Sequence, residues 1–113
     1  MAAVYVSNLV INAGCDFSQT FNLEEIETNS ALDLSGYTVF AQMRKWSGSS
    51  NAINFTTSID GTSAGTIIIR LTAQQTENLK PGRYVYDIVT SDQYEVKNRI
   101  IEGMVLLREG VTR

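Results

Sequence analysis

The chain contains no histidine, a single cysteine and a single proline. Without an imidazole, a nucleophile of the Ser/His/Asp or Cys/His kind has no group to take its proton, and most catalytic zinc sites lose their ligands. No catalytic, cofactor-binding or metal-ligating set is read here, so the expectation is a protein that is not an enzyme. Cys15 is alone, which excludes an internal disulfide. Long apolar runs are missing too. Met104 to Leu107 is a run of four, against the about 20 residues that a membrane-spanning helix needs. The start, Met1-Ala2-Ala3-Val4, lacks the charged lead and apolar stretch of a secretory signal. A soluble product of a cytoplasm, with no membrane partner, is therefore expected. Nor is there an excess of positive charge: nine basic and twelve acidic residues give a formal net charge of -3, with the signs scattered. A polyphosphate partner needs clustered Lys and Arg, so nucleic acid is not expected.

What is present is a chain of 113 residues, 43% of them hydrophobic, enough for one disulfide-free core. One domain over residues 1–113 is expected, with 109–113 as a polar tail. Between the glycines, apolar and polar residues alternate with the period of a strand. In Gly82 to Val89, Tyr84, Tyr86 and Ile88 share one face, and Pro81-Gly82 supplies the turn before it. Cys15, Phe17, Phe21 and Leu23 likewise share a face, broken by Gln19. Tyr37, Val39, Ala41 and Met43 share another, opened by the turn Asp33-Leu34-Ser35-Gly36 and closed by the loop Ser47 to Asn51. A short strand from Ile53 to Ile59, the β-branched run Thr66 to Leu71, and segments Val4 to Asn12 and Glu95 to Arg108 bring the total to about seven. The fold class expected is an all-β, immunoglobulin-like two-sheet sandwich. Thr72 to Leu79 predicts one short helical turn, with a Thr start and a Pro81-Gly82 stop.

Several residues invite a role. The spacing Leu79, Gly82, Tyr84, Tyr86 resembles a tyrosine corner, in which Tyr84 bonds back to the upstream backbone and Tyr86 is core; simple alternation in a strand is the other reading. Three strands look apolar on both faces. Ile68 opposes Ile67 and Ile69, Val85 and Val89 lie behind Tyr84 and Ile88, and Ile100, Met104 and Leu106 oppose Ile101, Val105 and Leu107. A lone sandwich should have one dry and one wet face per sheet. The second set, Ile68, Val85, Val89, Ile100, Met104 and Leu106, is therefore read as an interface on neighbouring strands, the alternative being cover by a loop or by the N-terminal segment. Trp46, after Arg44 and Lys45, could stack on a sugar or cap a core edge. Glu24, Glu25 and Glu27, and separately Asp60, lack the ligand spacing of a calcium loop and read as solvated charge. Paired surface carboxylates are too loose a signal for glycoside hydrolysis. Cys15 reads as a small buried hydrophobe.

The stretch Val10 to Phe21, then Leu32 to Val39 and Gln42-Met43-Arg44, resembles small virion proteins of tailed bacteriophages. Leu79-Lys80-Pro81-Gly82-Arg83-Tyr84-Val85-Tyr86-Asp87 and Ile101-Glu102-Gly103 extend the likeness. The pattern is similar to the N-terminal domain of phage baseplate upper proteins, with its Asp-Leu-Ser-Gly and Lys-Pro-Gly-x-Tyr turns, over roughly residues 6 to 108. It carries turn and strand signatures but no catalytic residue. The resemblance implies a non-enzymatic virion component that joins other virion proteins or copies of itself. In baseplate proteins long receptor-binding regions follow this domain; here the sequence stops at Arg113, so the expectation carried over from the resemblance is attachment, and direct receptor recognition is not carried over with it. Tail or baseplate placement follows from the likeness and head decoration from the small size, while a carbohydrate-binding module using Trp46 is the rival from another class.

Overall fold

A computed structural model describes residues 5–23, 36–60 and 65–111. The chain is an all-β sandwich, with one short helix among the described residues. Its strands are β1 (Tyr5–Val6), β2 (Leu9–Asn12), β3 (Phe17–Asn22), β4 (Thr38–Arg44), β5 (Ala52–Asn54), β6 (Thr56–Asp60), β7 (Thr66–Leu71), β8 (Gly82–Ser91) and β9 (Lys97–Arg108), with α1 (Ala73–Glu77) between β7 and β8. One sheet runs β1-β9-β8-β4-β5, with β2 also on β9, and the other runs β3-β7-β6. The first two strands lie parallel to the last, and the remaining pairs are antiparallel. This chain order across two facing sheets is immunoglobulin-like.

Alternation builds the core. Ile11, Met43, Ile67, Ile69, Leu71, Ile88, Ile101, Val105 and Leu107 are fully buried between the sheets, each on the inward side of its strand. The helix begins where its chemistry dictates. Thr72 accepts a hydrogen bond from the Gln75 N–H, and the Gln75 side chain accepts one from the Thr72 N–H, closing a capping box.

Four sequence expectations need correction. The segment Ile53 to Ile59 is two strands on different sheets, because Phe55 turns inward and the chain crosses over it. Its N–H donates to the Ala41 carbonyl (3.0 Å), and its ring packs near Phe17 (6.1 Å between centroids) and edge-on to Tyr86 (6.4 Å). The N-terminal segment is also two strands, broken at Ser7-Asn8, so nine strands stand among the described residues where about seven were expected. Cys15 is exposed, because it sits in the turn between β2 and β3 and not on the strand face. Ile100, expected to point outward, is 3% exposed. The β8–β9 register passes from Ile88↔Ile101 to Val89↔Arg99, which makes Ile100 the extra residue of a β-bulge and lets it bury beside Ile101. The acidic group Glu24, Glu25 and Glu27, the turn residues Asp33 to Ser35, and the side chain of Asp60 lie outside the described residues.

Candidate functional site

The outward side of the larger sheet is ordered in rows by the strand register. Val10 pairs with Leu106 and Leu106 with Arg83; one row along, Met104 pairs with Val85, and Val85 with Arg44. Val10, Met104 and Leu106 are 52%, 45% and 43% exposed, and Val85 is exposed as well. These four side chains therefore adjoin one another on free surface, flanked by Arg83 and the half-buried Arg44. In the next row the exposed Val6 at the edge is followed by four polar residues, Glu102, Asp87, Gln42 and Asn54, across the sheet. Beyond it Arg99, the half-buried Val89 and the exposed Phe40 form a fourth row.

The polar row is tied together. The Arg99 guanidinium lies 3.1 Å from Asp87 and 4.0 Å from Glu102. These two carboxylates, side by side in the register, thus share a counter-ion that is itself exposed. Gln42 donates to Asn54 (2.6 Å), and Arg44 donates to Gln42 (3.2 Å) and to the Ser49 carbonyl. Between the apolar and polar rows lies an open depression of about 720 Å³ whose lining includes Val85, Met104, Asp87, Arg99 and Glu102. It presents methyl groups on one wall and a charged network on the other, a surface able to seat a side chain or loop of another molecule.

The expected interface residues do not all meet. Val85, Met104 and Leu106 share the outer face, with Val89 half-buried at its far side. Ile100 is withdrawn into the core by the bulge. Ile68 belongs to β7, in the other sheet, where it is half-buried between Thr20 and Ser58, so it cannot join the same patch. Nor is the second face uniformly dry, since the polar row crosses it. Sequence reasoning missed Val10, Val6 and Phe40 as outward residues. The signal for Val10 was its place between the inward Leu9 and Ile11.

Two tyrosines brace this face from beneath. The Tyr84 hydroxyl donates to the Lys80 carbonyl at 2.6 Å, four residues upstream, the geometry of a tyrosine corner. Tyr86, also buried, reaches across to donate to the Ser7 carbonyl at 2.5 Å. Burial pushes both phenols above the ordinary tyrosine pKa, opposed by these hydrogen bonds. The same Ser7 carbonyl crowds Gly103, where a Cβ would run into it. Asn8 then accepts from the Met104 N–H (3.0 Å), replacing the strand bond that the break gives up. A further pin, also missed in the sequence, is the fully buried Thr76. Its hydroxyl accepts from the Gly14 N–H (3.0 Å), and its proton faces the carbonyls of Cys15 (2.9 Å) and Ala73 (3.0 Å), locking α1 to the β2–β3 turn.

Trp46 stands at the tip of the β4–β5 hairpin, 62% exposed, with its ring lying over Gly48. Its carbonyl accepts from the Ser49 N–H (2.9 Å), which closes the turn.

No family model matches the chain, and no curated protein does. Among solved structures the chain is similar to an internalin-like protein of Listeria monocytogenes, at 17% identity and a TM-score of 0.49. That match covers 95% of this chain and 28% of the other.

Proposed function

We propose that the chain is a non-enzymatic structural component of a tailed-phage particle, a tail or baseplate assembly module that binds another virion protein through the outer face of its larger sheet. The observation that carries this reading is the contiguous exposed group Val10, Leu106, Met104 and Val85. Water contact at four adjoining apolar side chains is relieved by a partner, at roughly 25 cal/mol for each Å² of apolar surface covered. Arg83 and Arg44 on one flank, and Asp87 and Glu102 on the other, give such a contact a fixed orientation. The turn and strand likeness to virion proteins supplies the particle; the sequence motifs carry it. The site of work is thus the virion, after synthesis in the host cytoplasm.

Mass spectrometry of purified particles, separated into heads and tails, tests this. The chain should be found with the tails. Recovery with the heads moves it to a decoration role on the capsid, and absence from both fractions removes the proposal.

The exposed Trp46 favours one second reading, a carbohydrate-binding module with that indole as its stacking platform. Glycan binding lost in Trp46→Ala, with the fold intact by circular dichroism, would replace the first reading with this one.

A further inference from the structure

A sandwich has four sheet edges, and each free edge invites pairing unless something blunts it. In the larger sheet, β5 is only three residues long, and the opposite edge is broken at Ser7-Asn8. In the smaller sheet, β6 is tied to the facing sheet, with the Thr57 hydroxyl donating to the Val39 carbonyl (3.0 Å) and Phe55 leading directly into β4's backbone. The fourth edge, β3, shows no such protection among the described residues. Its six residues, Phe17-Ser18-Gln19-Thr20-Phe21-Asn22, hold an unbroken register with β7 and include no charge, proline or glycine. Among the described residues no strand pairs with its other side.

The register also says which groups face outward. The Leu23 N–H donates to the Gly65 carbonyl (2.8 Å), continuing the β3–β7 ladder by one pair. Bonded pairs alternate in an antiparallel ladder, so Phe17, Gln19 and Phe21 bond to β7. The N–H and C=O groups of Ser18, Thr20 and Asn22 then point away from it, along the open edge, where the Thr20 carbonyl accepts from the exposed Gln19 side-chain amide (3.2 Å), a bond that a pairing strand would replace.

We propose that β3 pairs with β3 of a second copy of this chain, antiparallel about a two-fold axis at Thr20, joining the two smaller sheets into one. This goes beyond the reading of the outer face and uses a separate surface. The strand is complementary to itself in this register. Thr20 faces Thr20 of the second copy and Ser18 faces its Asn22, so the outward row meets polar on polar with no like charges opposed. On the inward side, Phe21 falls against Gln19 of the second copy and Phe17 against its Leu23. Both phenylalanines are half-buried in the single chain, and the pairing covers what is left exposed. The occupant is a second copy because each row of β3 finds its match in β3 itself. A two-fold pairing of this kind also closes on itself and does not propagate.

The test uses the full chain with Cys15→Ser as background. The native chain should sediment as a concentration-dependent dimer. Thr20→Cys should then form a disulfide-linked dimer on mild oxidation with diamide, since facing Cα atoms in a bonded pair lie about 5.5 Å apart, within disulfide reach. Ser18→Cys should not, because its counterparts are offset by four residues, about 14 Å. Thr20→Lys should abolish the dimer while leaving the circular dichroism spectrum unchanged. A native chain that stays monomeric, or linkage of Ser18→Cys as readily as Thr20→Cys, overturns the proposal. So does a dimer that survives Thr20→Lys but is lost in Leu106→Asp, which would assign self-association to the outer face. If Thr20→Lys fails to fold, the two cysteine variants decide alone.

Discussion

At the scale of the residue, a few side chains make bonds whose removal has a definite cost. Tyr84 holds the turn before β8 with one hydrogen bond to Lys80. Tyr84→Phe should lower stability by about 1 kcal/mol, the net worth of one such bond, read as a shift in the urea midpoint at unchanged slope. Gly103→Ala is a different case, because the added methyl meets the Ser7 carbonyl, which is backbone and already bonded to Tyr86 and cannot step aside freely. A loss of about 1–3 kcal/mol is expected, as for other overpacked sites. Both tyrosines also give stability a pH dependence. Their phenols are pushed up in the folded chain, so the unfolded chain surrenders these protons first. Their contribution is whole below about pH 10, the unfolded value, and is lost as pH rises through the folded values. Urea midpoints should therefore fall above about pH 10, and fall less in a Tyr84→Phe/Tyr86→Phe variant. Of these residues, Tyr84 was legible from its distance to Gly82. The exposure of Cys15 was not, since alternation alone does not say at which residue a strand starts.

At the scale of the element, the strands were legible wherever apolar and polar residues alternate, and their interruptions were not. The chain changes sheets at Phe55 because one large ring turns inward between two short strands; the sequence around it reads as unbroken β-former. The β9 bulge is hidden in the same way. Ile100 and Ile101 are adjacent isoleucines, and only the partner strand decides that both are buried. The helix was legible from its Thr72 cap, but its attachment was not, because Thr76 acts through residues about sixty positions away. Thr76→Val keeps the shape of the side chain and removes its hydroxyl, leaving the Gly14 N–H and Cys15 carbonyl without that partner. It should cost about 1–3 kcal/mol by thermal or urea unfolding.

At the scale of the whole molecule, two-sided apolar strands pointed to an outer surface that water does not suit, but they overstated how dry it is. The register brings Val10, Leu106, Met104 and Val85 together and then lays Glu102, Asp87 and Gln42 beside them. Sequence periodicity assigns a residue to a face, whereas its neighbours on that face depend on strand order, which put Ile68 on the far sheet. The resulting surface, apolar beside charged, suits a contact with one orientation better than a general affinity for grease. The proposed role in an assembly can be tested directly by thiol labelling of Leu106→Cys in a Cys15→Ser background, comparing the free chain with the chain in purified particles. The account predicts rapid labelling of the free chain and labelling slowed about tenfold or more in the particle. Equal rates in the two states would contradict it.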